Sequence, residues 1–322
     1  MSGILILGGA GRLGRELHET LLAMGARSVV AASRAEADAA DPDAVLALSE
    51  RFPEGRPDWV VCAAAWSDVS RAEVDRAGAR RGNVLAPRGA ALAAASWGAA
   101  LLHYSSDYVF SGGGRRFLHS DQRPKPQGAY GRTKLEGERE AARIMRRTRS
   151  RSLIVRAGWL YSEKTGEGFP RKVLERALSG RPIVMRTNQY GKPTSYEALA
   201  GWSAAMMLGG CEKMLTAGEP HILHFAPQGK PISRYVLAGR ILSRAAHFCA
   251  RKGFCQEEIF RKALCGMKGL RTHQKSQPQN CILACEQLAF CAATHCFSWE
   301  DAVDNSVDNF LLPRFAIGEI QD

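Results

Sequence analysis

A tyrosine and a lysine, Tyr130 and Lys134, stand four residues apart, a spacing that places both side chains on one face of a helix. A phenol with an ordinary pKa of roughly 10 is a weak acid or base at neutral pH, and a nearby ammonium group lowers that pKa by stabilising the phenolate. The spacing alone is common on ordinary helix faces. Here it follows a glycine-rich loop and an apolar stretch that ends in Ser105 and Ser106. In that context the pair indicates acid–base chemistry.

Three glycines, Gly8, Gly11 and Gly14, follow the first apolar stretch and precede leucines at helical spacing. Glycines in this arrangement allow a tight turn and a close approach of backbone N–H groups to a pyrophosphate. They also allow the helix to pack closely on the strand. The sequence therefore predicts a dinucleotide-binding loop rather than a purely structural turn.

The end of the second predicted strand carries Ser33 and Arg34, at a place where a carboxylate would bind the ribose 2′-hydroxyl of NAD. A hydroxyl and a guanidinium suit a 2′-phosphate, so the sequence favours NADP(H) as the cofactor. NAD(H) stays possible if Arg34 is only a solvated surface charge. Asp38, a few residues further on, is a candidate neighbour of the adenine.

Apolar stretches at residues 4–7, 28–32, 59–63 and 101–105 alternate with helix-like segments. This alternation predicts an α/β fold, a Rossmann-like doubly wound parallel sheet covered by helices on both faces. Glycine and proline punctuation in the second half predicts a smaller, mixed C-terminal substrate domain. We predict a cofactor-binding domain over 1–157, to which 182–220 return, and a substrate-binding domain made of 158–181 and 221–322.

The 322 residues include 44 basic and 32 acidic side chains, a formal net charge of +12. The basic residues form only short runs, so we interpret the charge as a solvated surface that also attracts small anions, and we expect no nucleic-acid partner. No basic region precedes the first apolar stretch, and no stretch is long enough to span a bilayer. We therefore expect a cytoplasmic protein without a membrane partner.

Cysteines are concentrated near the C-terminus, where seven of the nine lie between residues 249 and 296. The spacing of Cys281, Cys285, Cys291, His295 and Cys296 lacks the paired C-x-x-C pattern of a structural zinc site. Disulfides are rare in the cytoplasm. We therefore expect reduced thiols and no bound metal in this segment.

From the N-terminus to residue 235 the chain resembles the extended short-chain dehydrogenase/reductases, and within them the dTDP-4-dehydrorhamnose reductase family. The residues that carry the resemblance are GGAGRLG, RPDWVVCAAAWSDVSRAE, Asn83, HYSSDYVFSG, YGRTKLEGE, VRAGWLY and NQYGKPT. The resemblance implies an NADPH-dependent oxidoreductase that reduces the 4-keto group of a nucleotide-linked deoxysugar. Its partner would be that small-molecule substrate, and the chain would be a monomer or a homodimer.

Position by position, the resemblance makes Ser106 the hydroxyl that binds the keto oxygen, Tyr130 the proton donor and Lys134 the residue that binds the nicotinamide ribose. The residues expected to contact the cofactor are Gly8, Gly11, Arg12, Leu13, Gly14, Ser33, Arg34, Asp38, Ala63, Ala64, Ala65 and Asn83. Those expected to line the substrate pocket are Ser105, Asp107, Tyr108, Trp159 and Gln189.

Two positions depart from the family pattern. Asn188 precedes Gln189 where the family usually has an aspartate, and Gln277 precedes Pro278 where it usually has an arginine. If that arginine neutralises a substrate phosphate, its loss weakens the sugar-nucleotide assignment more than the reductase mechanism. Two alternatives stay open: a nucleotide-sugar epimerase or dehydratase, and a non-catalytic NADP-binding regulatory subunit.

Overall fold

A computed structural model describes residues 3–112, 115–271, 277–284 and 298–316 of the protein. The strands, in chain order, are β1 (Ile4–Leu7), β2 (Val29–Ala32), β3 (Trp59–Cys62), β4 (Ala100–Ser106), β5 (Ser152–Ala157), β6 (Leu160–Tyr161), β7 (Val184–Arg186), β8 (Tyr190–Gly191), β9 (Thr194–Ser195), β10 (His221–His224), β11 (Ile232–Ser233), β12 (Lys268–Leu270) and β13 (Asn280–Cys281). The helices are α1 (Arg12–Ala23), α2 (Pro42–Leu46), α3 (Arg71–Val74), α4 (Arg76–Arg80), α5 (Ala86–Trp97), α6 (Ala129–Arg147), α7 (Phe169–Leu178), α8 (Tyr196–Leu208), α9 (Arg234–Lys252), α10 (Glu257–Cys265) and α11 (Trp299–Ala316).

Six parallel strands form the large sheet, in the order β10-β5-β4-β3-β1-β2. Strand β1 shows how the two faces of the sheet are covered. Its Ile4 and Ile6 belong to the core beneath α1 and α8, whereas Leu5 and Leu7 belong to the core beneath α5 and α6. Alternate residues of a strand point to opposite faces, so a fully apolar strand needs helices on both. The predicted Rossmann-like α/β fold is confirmed.

The carboxyl ends of the parallel strands lie at one edge of the sheet. Strands β2 and β3 pair with β1 on opposite sides, so the direction of the strand order reverses at β1. In open α/β sheets the crevice at such a reversal of strand order binds ligands. The loops after β1, β3, β4 and β5 meet there, and these loops contain or adjoin most of the predicted site residues.

A second unit packs α7, α9, α10 and α11 around its own apolar core, which includes Leu174, Ile241 and Phe310. An ion pair of 2.9 Å between Arg240 and Asp304 joins α9 to α11. Three small sheets accompany these helices: β11-β8-β13, β12-β7 and β6-β9. The unit is mixed, because it combines helices with short strands drawn from distant parts of the sequence.

The sheets divide the chain at places other than the predicted domain boundaries. Strands β7 and β8, in the segment 182–220, pair with strands of the second unit. Strand β10, which begins at His221, pairs with β5 and completes the large sheet. Helix α8, also within 182–220, packs against α1 on one face of that sheet. The chain therefore passes between the two units in shorter segments than the positions of glycine and proline indicate.

None of the helices in the described residues is both long and apolar enough to cross a membrane. In the same part of the chain, no cluster of three or more His, Cys, Asp or Glu side chains could hold a metal ion. Cys249, Cys255, Cys265 and Cys281 are free thiols. The predictions for Cys285, Cys291, His295 and Cys296 fall outside the described residues.

Candidate functional site

The loop after β1 has the backbone geometry that a phosphate cradle requires. Gly8 has a φ of +83°, and a Cβ atom there would lie 2.6 Å from the backbone nitrogen of Ala64. A Cβ atom at Gly14 would collide with the carbonyl oxygen of Gly8. Glycine is therefore needed at both positions, one for its left-handed conformation and one for the close approach of α1 to the loop.

A cleft of about 410 Å³ opens beside this loop. Its lining residues are Gly8, Ala10, Gly11, Arg34, Ala37, Asp38, Ala39, Ala63, Ala64, Ala65, Trp66, Gly78, Arg81, Gly82 and Ala86. Small side chains and backbone dominate this wall, which suits the flat surfaces of a dinucleotide. We refer to it as the cofactor cleft, because the glycine loop and the small residues after β3 fit that group.

A charged cluster stands at the end of β2, within the cofactor cleft. The carboxylate of Asp38 accepts a 2.9 Å hydrogen bond from Arg81 and lies 3.3 Å from Arg34. Glu36 points elsewhere: it accepts a 2.8 Å hydrogen bond from the backbone N–H of Ser33, and this contact, with those of the Ser33 hydroxyl and Arg51, lowers the pKa of Glu36 to about 2. The cleft thus has two guanidinium groups and one carboxylate at the strand end.

Five residues predicted to contact the cofactor lie outside the lining of this cleft. One of them, Gly14, instead allows the close approach of α1 to the loop described above. Arg12 lines a second cleft and pairs with Glu167 at 2.6 Å. Leu13 is buried in the core beneath α1. The side chain of Asn83 accepts from the Trp66 backbone at 3.0 Å and donates to Thr133 at 3.1 Å. The Ser33 hydroxyl accepts a hydrogen bond of 3.4 Å from the backbone N–H of Glu36, so this side chain stabilises the loop after β2.

The second cleft, of about 330 Å³, lies where the carboxyl ends of β4 and β5 face the second unit. Its lining residues are Arg12, Ser67, Val69, Ser105, Ser106, Asp107, Tyr108, Tyr130, Ala157, Gly158, Trp159, Leu160, Gly168, Phe169, Lys172, Tyr196 and Arg234. Of the five residues predicted to line the substrate pocket, only Gln189 is not among them. We refer to this space as the substrate cleft.

Two of the predicted catalytic side chains, Ser106 and Tyr130, meet in the substrate cleft, whereas Lys134 is not among its lining residues. The Ser106 hydroxyl donates to Asp107 at 2.8 Å, accepts from the Tyr108 backbone N–H at 3.2 Å, and is within hydrogen-bonding reach of the Tyr130 phenol. Tyr108 packs edge-on against the ring of Tyr130 at 5.5 Å between centroids. The phenol therefore has a fixed position beside a hydroxyl, as a proton donor to a bound oxygen requires.

The pKa of Tyr130 moves in the direction opposite to that expected from the Y-x-x-x-K spacing. Burial raises the pKa of Tyr130 to about 12, and the adjacent Asp107 adds to that increase. The ammonium of Lys134 donates instead to the carbonyl oxygen of Tyr104 at 2.7 Å, and burial lowers the pKa of Lys134 to about 8. The phenol is thus protonated at neutral pH, which suits a donor in a reduction.

Trp159 adopts a left-handed backbone conformation, with a φ of +55°. Such a conformation is uncommon and strained for an aromatic residue, and strain of this kind is concentrated at functional sites. Its indole packs against the backbone at Gly191, where a Cβ atom would lie 2.6 Å from the ring. Gln189, two residues earlier, lies behind the cleft wall: its amide donates to Tyr108 at 3.4 Å and to Pro278 at 3.2 Å.

Sequence reasoning missed several residues that line the two clefts. Arg81 reaches the cofactor cleft from a turn of π-helix that follows α4. Phe169, Lys172, Tyr196 and Arg234 reach the substrate cleft from α7, α8 and α9. No local motif marks these positions, because each depends on how distant segments pack.

Asp107→Asn is expected to stabilise the protein at pH 8 by on the order of 2–3 kcal/mol, and to have little effect at pH 3.5. Burial raises the pKa of Asp107 to about 6, and one carboxylate oxygen has no hydrogen-bond partner among the described residues. The cost of its charge is therefore absent below the ordinary carboxyl pKa of roughly 4, grows up to pH 6, and is complete above that. Urea unfolding of both proteins across this pH range measures the difference.

The control for this experiment is Asp121→Asn, because Asp121 is an exposed carboxylate in a loop. That substitution should change the free energy of unfolding by little at either pH. A stability difference between wild type and Asp107→Asn that is the same at pH 3.5 and pH 8 would contradict the assignment of the raised pKa to Asp107.

The chain is similar to one described protein family and to two Streptomyces enzymes. The family described as RmlD substrate binding domain matches residues 1–312. The dTDP-4-dehydrorhamnose reductase of Streptomyces griseus is 37% identical over 202 residues, 63% of this chain and 64% of the relative. A probable dTDP-4,6-dihydroxy-2-methyloxan-3-one 4-ketoreductase of Streptomyces antibioticus is 38% identical over 191 residues, 59% of this chain and 62% of the relative. The matched region thus spans less than two thirds of the length of each of these relatives.

The fold is shared with a solved structure, the dTDP-4-dehydrorhamnose reductase of Bacillus anthracis in complex with NADP. The two superimpose with a TM-score of 0.75 and 23% identity, over 97% of this chain and 99% of the other. The resemblance drawn from the sequence motifs is confirmed, since the family match runs through both units and both clefts. The chain belongs to the RmlD substrate binding domain family.

Proposed function

We propose that the protein is an NADPH-dependent reductase that acts on the 4-keto group of a nucleotide-linked deoxysugar. The observation that carries this proposal is the placement of Ser106 and Tyr130 in a cleft adjoining the glycine loop, with the phenol held protonated. The activities named for the two Streptomyces relatives support the same chemistry, and the Bacillus anthracis relative is recorded with NADP. A small-molecule nucleotide sugar would be the partner.

In this proposal the side chains of the substrate cleft polarise and protonate a keto oxygen. NADPH, bound in the cofactor cleft, supplies the hydride for the carbonyl carbon. Ser106 donates a hydrogen bond to the keto oxygen, which requires its hydroxyl proton to turn away from Asp107. Tyr130 gives up its phenolic proton as the oxygen gains electron density, so a phenol that is protonated at neutral pH is the competent form. Lys134, whose ammonium donates to the carbonyl oxygen of Tyr104, would bind the nicotinamide ribose.

The two alternatives receive less support from the residues present. An epimerase or dehydratase needs further acid–base groups beside the sugar, and Asp107 is the only carboxylate among the described residues that line the substrate cleft. A non-catalytic regulatory subunit has no need for a serine and a tyrosine with fixed positions in one cleft. The monomeric or homodimeric state and the cytoplasmic location stay predictions, as does the use of NAD(H).

The experiment that tests the proposal follows the loss of NADPH absorbance with a panel of nucleotide-linked 4-keto-6-deoxysugars. We expect turnover with at least one dTDP-linked ketosugar, and a product reduced at C4. Binding of NADPH without turnover of any member of the panel would favour the regulatory subunit. Release of a dehydrated or epimerised sugar would favour the other alternative.

Arg34→Ala and Arg81→Ala are each expected to weaken NADPH binding by on the order of 1–3 kcal/mol and to leave NADH affinity nearly unchanged. Both guanidinium groups flank Asp38 in the cofactor cleft. Removing either one leaves less positive charge to offset the repulsion between the Asp38 carboxylate and a 2′-phosphate. Fluorescence titration of both cofactors provides the measurement. Arg27→Ala is the control, because Arg27 is exposed and lines a different surface pocket. Equal losses for NADPH and NADH would refute the assignment.

A further inference from the structure

Arg234, the first residue of α9, presents its guanidinium to the substrate cleft between two aromatic rings. Its central carbon lies 3.6 Å from the centre of the Trp159 ring and 4.6 Å from that of Phe169. An arginine stacked in this way has a fixed plane, and its N–H groups stay free to donate from the edge. The stacking therefore fixes the conformation of this side chain before any ligand binds.

The charge of Arg234 lacks a close partner within the described residues: its side chain forms no hydrogen bond there, and no carboxylate lies within 4.0 Å. Arg240 and Arg244 on the same helix behave differently, since each pairs with an aspartate of α11. Burial lowers the pKa of Arg234 and the like charge of Arg186 lowers it further, whereas the carboxylate of Asp107 acts in the opposite direction. A half-buried cation without a paired carboxylate is costly unless something else supplies the negative charge.

The remaining charges of the substrate cleft also favour an anion. Its described lining includes three cations, Arg12, Lys172 and Arg234, and a single carboxylate, Asp107. Arg12 is paired with Glu167, but Lys172 is exposed on α7 and has no ion pair among the described residues. The excess of positive charge thus lies on the side of the second unit, with Arg234 and Lys172.

We propose that Arg234, assisted by Lys172, binds the diphosphate of a nucleotide-linked substrate and so selects for nucleotide sugars over free sugars. This inference rests on the proposed function, and it assigns the recognition of the phosphates to residues of the second unit. A planar guanidinium can donate two parallel hydrogen bonds to phosphate oxygens, which a lysine cannot reproduce. The stacking on Trp159 and Phe169 holds that plane toward the cleft, so little side-chain freedom is lost on binding.

The test uses thymidine 5′-diphosphate and thymidine as probes, titrated calorimetrically into wild type, Arg234→Gln, Arg234→Lys and Arg251→Gln. We expect Arg234→Gln to weaken diphosphate binding by about 10–100-fold, the loss typical of a hydrogen bond to a charged group, and to leave thymidine binding unchanged. Arg234→Lys should recover only part of the affinity. Arg251→Gln is the matched control, since it removes the same charge from an exposed position of α9 and should change nothing.

A purely structural role for Arg234, as a brace for Trp159, predicts equal weakening of thymidine and its diphosphate, and that result would overturn the proposal. Diphosphate affinity that is unchanged in Arg234→Gln, or undetectable in wild type, would overturn it as well. The outcome is distinguishable from failure of the reductase function. Diphosphate binding that depends on Arg234, in a protein that oxidises no NADPH with any ketosugar, supports the anion site and removes the reductase assignment.

Discussion

Replacing Tyr130 with phenylalanine is expected to lower kcat by about 10²–10⁴-fold while the Kd for NADPH changes little. The substitution removes only the hydroxyl, whose pKa burial raises to about 12, and retains the ring that packs edge-on against Tyr108. Because the phenolic proton is needed only as the keto oxygen gains charge, its loss affects the transition state rather than the bound cofactor. Steady-state reduction of the accepted ketosugar gives kcat, and fluorescence titration gives the Kd.

The matched control for this prediction is Tyr161→Phe. Tyr161 is buried in the core of the second unit, and its hydroxyl has no hydrogen-bond partner among the described residues. The same chemical change there should leave kcat within about twofold of wild type, because removing this hydroxyl breaks no hydrogen bond. Similar kcat values for wild type and Tyr130→Phe would refute the role of Tyr130 as proton donor.

Arg156→Met is expected to lower the free energy of unfolding by about 3–5 kcal/mol. Arg156 on β5 donates to both carboxylate oxygens of Glu138 on α6, at 2.9 and 2.8 Å, and both side chains are almost completely buried. The substitution leaves Glu138 as an uncompensated charge between sheet and helix. Urea unfolding monitored by circular dichroism measures the loss.

A surface ion pair on the same helix provides the control for this stability measurement. Arg143 and Glu140 lie 2.8 Å apart in a partly exposed position, where an ion pair contributes about 0–1 kcal/mol. Arg143→Met should therefore cost little. Adding Glu138→Gln to Arg156→Met should recover part of the lost stability, because it removes the orphaned charge. Equal losses for Arg156→Met and Arg143→Met would contradict the structural argument.

The fold of the first half could be predicted from sequence because its signals are local. Fully apolar strands, the Gly8–Gly14 loop and leucines at helical spacing each occupy a few consecutive residues. The second unit gives no comparable signal, since β7, β8 and β13 are two or three residues long and find partners far away in the chain. Such strands are defined by tertiary pairing rather than by their own sequence.

The same distinction separates the parts of the two clefts. Ser106, Tyr130 and Lys134 could be identified from motifs, whereas Arg81 and Arg234 are brought to the clefts by packing of distant segments. The increase in the pKa of Tyr130 could not be predicted from neighbouring residues in the sequence either. The four-residue spacing to Lys134 is visible in the sequence, but burial of the phenol depends on the whole surrounding structure.

The late position of β10 in the chain has a consequence for biosynthesis. Until His221–His224 has emerged from the ribosome, β5 is the outer strand of the sheet, and its apolar residues Leu153, Ile154 and Val155 have an unpaired backbone edge beside them. Open edges of this kind promote pairing with other chains. We therefore expect a nascent or truncated polypeptide that stops before β10 to be a client for chaperones, and the part of the chain before β10 is not a separable module.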